Sequence, residues 1–342
     1  MRGPNLDIKK FAVLTSVVAL TLAGCAAGAD SDAGETASTE TAAAETEAVV
    51  PANSDIKICV YTHGDGGTFW SVAQAGAEKA GEDLGITIDY QGSTNDSARQ
   101  AAIIEGAISA DCDGVAASAP DPGAIEQAML SLADAGVPTV TMNSGSDVFK
   151  SLGAFTHVGQ DEIIAGREAG LRFNELGATN ILCPIQEAAN VGLTDRCEGA
   201  RQTSTGTVTD FNLDGGLQDL TAASAKIKAA LEADPTIDAV FALNADIAAK
   251  AVLPAVQELG LDINIGTVDM SEDALNAIAA GDMVFAIDQQ QYAQGYLSVV
   301  LLYLNVTNAH SLGGGLPMYT GPGFVDASNV EAVIGYVAAG TR

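Results

Sequence analysis

Phe69 and Trp70 stand side by side in "DGGTFWSVAQAGAEKAGEDLG", Asp65 to Gly85, where a glycine-rich loop becomes a helix. Trp70 is the only tryptophan in 342 residues. Two adjacent large aromatics cannot both face one core. Either one packs under a sheet while the other covers a loop, or the pair forms a platform for the apolar C–H face of a ligand, with polar groups at its edge. Their place just beyond the first strand favours the platform. Other side chains able to do chemistry are scattered singly. Glu187 and Asn190, in "CPIQEAANVG", sit at a strand end, as do Asp121 and His63; each also fits a solvated loop or a helix cap. No G-x-S-x-G elbow, H-E-x-x-H pair or P-loop occurs. "SLGGGLP" is glycine-rich but lies outside any strand–loop–helix context. The three histidines do not cluster with the cysteines, and no C-x-x-C pair is present, so no metal or other cofactor is expected. The chemistry on offer is binding, not turnover, and no enzyme is expected.

The elements that must position these residues alternate from Ile56 onward. "IKICVYT" is a short apolar run suited to a strand buried on both faces. Thr68 is placed to cap the helix that runs to Leu84, and Gly85 to end it. "ITIDY", "DGVAASA" and "VPTVTMN" read as strands, with helices around "DSARQAAIIEGAIS" and "DPGAIEQAMLSLADAG". The rhythm then restarts with strands "NILCPI", "TVTDFNL", "IDAVFALN", "INIGTVD" and "MVFAID". Alternation of this kind predicts parallel sheets covered by helices on both faces. Two such layers of similar size imply a cleft between two lobes, with ligand-facing residues just beyond the carboxyl ends of the strands.

Apolar residues make up 47% of the chain, enough for real cores. The net charge of −29 argues against nucleic acid and against a hold on anionic lipids. The first 25 residues read as an export signal, with Arg2, Lys9 and Lys10 ahead of the apolar run "FAVLTSVVALTLAGC". Its end, "LAGC", resembles the lipobox of bacterial lipoproteins, which implies a diacylated Cys25. Residues 26–54 are rich in Ala, Thr, Glu and Ser with little to bury, so a disordered acidic tether is expected. The body is thus expected outside the cytoplasm, lipid-anchored to the outer face of the membrane or in the periplasm. In that setting Cys183 and Cys197, which flank one strand-to-helix connection, are candidates for a disulfide. Cys59 and Cys112 fall in different predicted strands and are expected as buried free thiols.

From Ile56 to about Val306 the chain resembles bacterial periplasmic sugar-binding proteins of the ribose- and galactose-binding type, which serve ABC importers. The resemblance rests on the order and spacing of "FWSVAQAGAEKAGEDLG", "GAIEQAMLSLADAGVPTVTMNS", "DRCEGARQ", "ADPTIDAVFALNADIAAKAV" and "AIDQQQYAQGY". It implies two Rossmann-like lobes of type I periplasmic-binding-protein architecture, with three hinge crossovers near 157–160, 287–289 and 313–320. Residues 55–157 and 290–313 would form the first lobe, and residues 158–289 and 314–342 the second.

The resemblance also implies a pocket. Phe69 and Trp70 would stack on a sugar ring, and Arg196 would donate a fork of hydrogen bonds. Asn244 would both donate and accept, Asp269 would accept from two hydroxyls, and Gln289 would reach the ligand beside the hinge. Four positions depart from the family pattern. Asn143 and Ser144 replace an acidic residue followed by arginine, Gly67 replaces an amide, and Gln218 stands near the place of a third aromatic. These changes lead away from ribose or glucose but keep a small sugar or polyol as the expected ligand. The expected protein is a monomeric, lipid-anchored solute-binding protein that hands its ligand to an ABC permease, closing by hinge motion. The alternative is the same fold binding a nucleoside or small signal for a sensor.

Overall fold

The computed structural model describes residues 52–342. The export signal, Cys25 and the tether up to Pro51 lie outside the described residues. The last tether residues do not: Asn53–Asp55 form a 3₁₀ turn. There Asn53 donates to the Leu84 carbonyl (3.0 Å) and accepts from the Tyr303 hydroxyl (3.1 Å), so the ordered body begins ahead of residue 55.

The first half runs β1 (Lys57–Thr62), α1 (Gly67–Leu84), β2 (Thr87–Gly92), α2 (Ser97–Glu105), β3 (Gly114–Ala117), α3 (Pro122–Asp134), β4 (Thr139–Asn143) and β5 (Thr156–Gly159). The second runs α4 (Glu162–Glu175), β6 (Asn180–Ile185), α5 (Val191–Thr203), β7 (Thr207–Asn212), α6 (Leu220–Ala233), β8 (Ala239–Ala242) and α7 (Ala245–Ile247). A π-helical turn at Ala248–Val252 leads into α8 (Leu253–Leu259), whose Pro254 cannot donate into the preceding turn. Then come β9 (Asn264–Val268), α9 (Glu272–Ala280), β10 (Phe285–Asp288), α10 (Gln291–Asn308), β11 (Met318–Tyr319), β12 (Gly323–Val325) and α11 (Val330–Ala338).

Two six-stranded sheets result, ordered β11-β5-β4-β3-β1-β2 and β12-β10-β9-β8-β6-β7. All pairings are parallel except the antiparallel edge strand β12 on β10. Each lobe is therefore wound outward in both directions from its first strand, β1 or β6. The crevice that binds ligands in such sheets opens beyond the carboxyl end of that strand. In β1, Ile58 and Val60 face a core shared with α1 and α10, while Cys59 and Tyr61 face the one beneath α2 and α3. The strand is buried on both faces, as its unbroken apolar run requires.

The chain passes between the sheets at 159–162, 288–291 and 319–323. The expected division at residue 313 differs from the structure in one respect. Met318 and Tyr319 still pair with Val158 and Gly159 of the first sheet, covering its edge before the chain leaves. At the hinge, Gln294 Nε2 and the Thr320 hydroxyl both donate to the Gln289 carbonyl (2.8 and 2.7 Å), tying the crossings together.

Both remaining cysteine pairs form disulfides. Cys183–Cys197 joins β6 to α5. Cys59–Cys112 joins β1 to the loop before β3, with 5.8 Å between the Cα atoms. The expectation of free thiols fails because Cys112 is not in a strand. It precedes β3, which lies beside β1, and that adjacency follows from strand order. Each lobe thus carries one internal cross-link. Cys59→Ala/Cys112→Ala should lower stability by about 2–5 kcal/mol, since the bond closes a long loop. Urea unfolding of the variant checks this; an unchanged midpoint would contradict it.

Candidate functional site

Two loops from the two lobes face each other at the crevices. In the first lobe, His63 follows β1 and leads through "GDGG" into α1. Gly66 and Gly67 take positive φ (64° and 66°), which turns the loop tightly into the helix. Gly64 allows the indole of Trp70 to lie against the backbone, because a methyl there would overlap Trp70 Nε1. Thr68 does not cap α1. Its hydroxyl crosses the cleft and donates to Asp246 Oδ2 (3.0 Å), which Lys250 holds through Oδ1 at 2.8 Å.

The aromatic pair is arranged edge to face, with 4.8 Å between ring centroids, and His63 meets Trp70 in the same way at 4.8 Å. Both rings of the pair line the cavity between the lobes. Phe69 is buried without joining a core cluster, whereas half-buried Trp70 leans on the core under α1. The two adjacent aromatics therefore share one wall, and only Trp70 also serves the core.

His63 is fixed from behind. The Ser118 hydroxyl oxygen accepts the His63 backbone N–H (2.8 Å) and Gln100 Nε2 (3.3 Å). Its own proton is then left for His63 Nδ1, 2.8 Å away. That network assigns the remaining ring proton to Nε2, which faces Glu187 Oε2 at 3.8 Å across the cleft. Burial lowers the pKa of His63, against the pull of Glu187, which favours the neutral ring at pH 7.

In the second lobe, Gln186 and Glu187 follow β6. Asn190 caps α5 by accepting from the Gly192 N–H, and its amide donates to Glu187 Oε2 (2.8 Å). Arg196 lies nearly two turns further on. Its partner is buried Glu162 at the start of α4: Nε donates to Oε2 at 2.6 Å and Nη2 to Oε1 at 3.1 Å. Nη1 also donates to the Leu243 carbonyl (3.0 Å). Three of five N–H groups are thus committed, so the expected fork already grips Glu162 and two donors remain.

Two glycines bring this pair together. A methyl on Gly166 of α4 would overlap the Arg196 carbonyl, and one on Gly199 of α5 would overlap the Ile163 carbonyl. The helices touch backbone to backbone, at a spacing that sets Glu162 against Arg196. Gly199→Ala should therefore cost about 1–3 kcal/mol by overpacking and weaken ligand binding too. Thermal unfolding of the variant reads the first effect.

Asn244 caps α7 through its Oδ1, which accepts from the Asp246 and Ile247 N–H groups, and its Nδ2 donates to Asp269 Oδ2 at 3.3 Å. Asp269, just past β9, also accepts from Gln289 Nε2, and Asn143 Nδ2 from the first lobe reaches Gln289 Oε1 at 3.4 Å. A hydrogen-bonded chain, Asn143–Gln289–Asp269–Asn244, thereby runs through the hinge from one lobe to the other. Burial pushes the Asp269 carboxyl up to about 6, although Arg196 and the Gln289 amide pull it down. Burial also opposes the charge on Arg196, but Glu162, Asp269 and Glu187 outweigh it and raise its pKa.

The cavity enclosed by these residues has a volume of about 330 Å³, small for a site of its kind. It brings together Phe69, Trp70, Asn143, Arg196, Asn244, Asp269 and Gln289, with Glu187, Asn190 and Gln218. Two expected residues stand apart. Ser144 is buried and spends its hydroxyl on Asn143 Oδ1 (2.9 Å) without lining the cavity. Asp121 caps α3 through the Ala124 N–H and borders a smaller adjoining cavity of about 30 Å³, not the main one. Thr68, Gln186 and Asp246 line the main cavity and had no distinguishing signal, though Gln186 and His63 each follow the first strand of a lobe. Among the described residues, no group of three or more His, Cys, Asp and Glu side chains is placed to hold a metal ion. Likewise, no described helix is long and apolar enough to cross a membrane.

Comparison with known proteins identifies the family. A family model for a periplasmic binding protein domain matches residues 33–309. The chain is 24% identical over 300 residues to the xylose/arabinose-binding protein XylF of Sulfolobus acidocaldarius, across 82% of this chain and 74% of that protein. It is 28% identical over 240 residues to the ribose import binding protein RbsB of Bacillus subtilis, across 67% of this chain and 75% of that one. A solved carbohydrate transporter from Acidothermus cellulolyticus 11B, in complex with myo-inositol, is 38% identical with a TM-score of 0.80. That alignment covers 84% of this chain and 99% of the other.

Proposed function

The chain belongs to the periplasmic binding protein domain family, among the sugar-binding proteins of ABC transporters, and from that premise we propose that it binds a small sugar or polyol in the cleft and closes over it. The observation that carries this reading is the chain of polar groups from Asn143 to Asn244 beneath the Phe69–Trp70 wall. It offers hydroxyl-matching partners from both lobes around one small cavity. The aromatic faces would cover the C–H surface of a ring, while Asp269 and the two free N–H groups of Arg196 would take its hydroxyls. A cyclic polyol such as myo-inositol, the ligand of the Acidothermus protein, is the first candidate.

Closure follows from the placement of these groups. Neither lobe holds a complete site, so a ligand that touches both favours the closed arrangement over the open one. In that arrangement Thr68 meets Asp246, His63 faces Glu187, and the Val191 N–H donates to the Pro120 carbonyl at 3.0 Å. Delivery to a membrane permease, anchoring through a lipid on Cys25 and a monomeric state complete the proposal. The leader and acidic tether in the sequence support export and anchoring. Thermal unfolding of the purified protein against pentoses, hexoses and inositols tests the ligand class. A ligand at about a thousand times its dissociation constant should stabilise the fold by roughly 4 kcal/mol. No shift with any of them, in protein freed of bound ligand, would overturn it.

A further inference from the structure

Among the described residues Arg196 is the one cation on the cavity wall, and three carboxylates act on it: Glu162, Asp269 and Glu187. Of these, Asp269 and Glu187 line the wall; Asp65 and Asp246 add two more to it, and of the wall carboxylates Lys250 offsets only Asp246. The site as a whole is negative. Most of these carboxylates are already engaged: Glu162 by Arg196, Asp269 by Gln289 and Asn244, Asp246 by Thr68 and Lys250. Exposed Asp65 accepts from the Thr94 hydroxyl, whereas Glu187 is set deeper in the wall. Its side chain, 17% exposed, receives only the Asn190 amide, with neutral His63 beyond hydrogen-bond reach.

The neighbouring residue adds an independent observation. Gln186 is 4% exposed and lines the same cavity, and its Oε1 has no hydrogen-bond partner among the described residues. A buried acceptor in that state is costly until a donor reaches it. A hydroxyl donates once and also needs a donor of its own. On this stretch of the wall the free acceptors, Glu187 and Gln186 Oε1, are better matched by a group that only donates, and an ammonium offers three donors and no acceptor.

Building on the polyol-binding reading above, we propose that the cavity takes a polyol bearing a protonated primary amine, an amino sugar or aminocyclitol, with the ammonium on the wall formed by Gln186 and Glu187. The rest of the ring keeps the contacts already described: aromatic faces on one side, Asp269 and Arg196 on the other. The same charge balance disfavours sugar acids and sugar phosphates, for which no uncommitted cation stands on the wall among the described residues.

Calorimetric titration of the purified protein tests this with matched ligands. One series is myo-inositol, its amino-deoxy analogue and the N-acetylated amine; the other is glucose, glucosamine and N-acetylglucosamine. In the series that fits the cavity, the free amine should bind at least about ten-fold tighter than its neutral parent, as a charge-assisted bond replaces a neutral one. N-acetylation, which removes the charge, should abolish the advantage. Glu187→Gln should bring the amine-to-parent affinity ratio close to one. An amine that binds no better than its parent would overturn the proposal while leaving polyol binding intact. An advantage that survives Glu187→Gln would overturn the assignment to that wall. If neither parents nor amines bind, the polyol reading has failed and this inference falls with it.

Discussion

Arg196→Ala is expected to lower the unfolding free energy by about 3–5 kcal/mol, because it leaves Glu162 as a buried carboxylate without its partner. Glu162 is 7% exposed and, among the described residues, accepts one other side-chain hydrogen bond, from Gln160 Nε2 at 2.9 Å, which cannot offset a charge. The guanidinium also supports the turn after β8 through the Leu243 carbonyl, so the loop that carries Asn244 would loosen with it. Two consequences separate this account from a simple loss of a ligand contact. The variant should be less stable even without ligand, and Arg196→Ala/Glu162→Ala should cost less than the sum of the two single changes. Chemical unfolding of the four proteins measures both. An Arg196→Ala protein as stable as its parent would show that the pair carries no structural weight.

Asp269→Asn is expected to remove a pH dependence and to weaken ligand binding. The folded protein holds this carboxyl near 6 against an ordinary value of 3.8, so between those two values the folded state binds more protons than the unfolded one. Stability then falls as pH rises. The contribution is fully present below about 4 and is lost as pH climbs through 6. A shift of that size corresponds to about 3 kcal/mol. The Asn variant lacks the titration, so the difference in stability between the two proteins should move in its favour by up to that amount from pH 4 to pH 7. The same substitution removes a charged acceptor from the centre of the cavity and should weaken polyol binding by about a hundred-fold. Parallel pH curves for the two unligated proteins would contradict the first part.

The fold was legible because a parallel sheet writes itself as short apolar runs separated by capped helices. "IKICVYT" and "IDAVFALN" need no partner to be recognised as buried strands. The site was legible only where a residue type is unusual for its place, as with Phe69 beside Trp70 at a loop-to-helix corner. What escaped depends on which elements become neighbours. Glu162 lies 34 residues before Arg196, and two glycine-mediated backbone contacts bring the helices close enough for them to meet. Thr68 looked like a cap because a threonine at a helix start usually is one, yet the glycines before it let its hydroxyl reach Asp246 in the other lobe. Cys59 and Cys112 looked unpaired because the adjacency of β1 and β3 is a matter of strand order. Ser144 follows Asn143 directly, but a positive φ at Asn143 (63°) directs the amide toward Gln289 while the serine stays behind it.

The chain's single tryptophan lies on the wall of the proposed ligand site, so its fluorescence reports on that site alone. The most direct test of the central claim is a fluorescence titration of the purified, ligand-free protein with small cyclic polyols, beginning with myo-inositol. A saturable change at one ligand per chain, lost in Asp269→Asn, is the predicted result. A fluorescence signal unmoved by any pentose, hexose, inositol or amino derivative, in a protein shown to be folded, would contradict it.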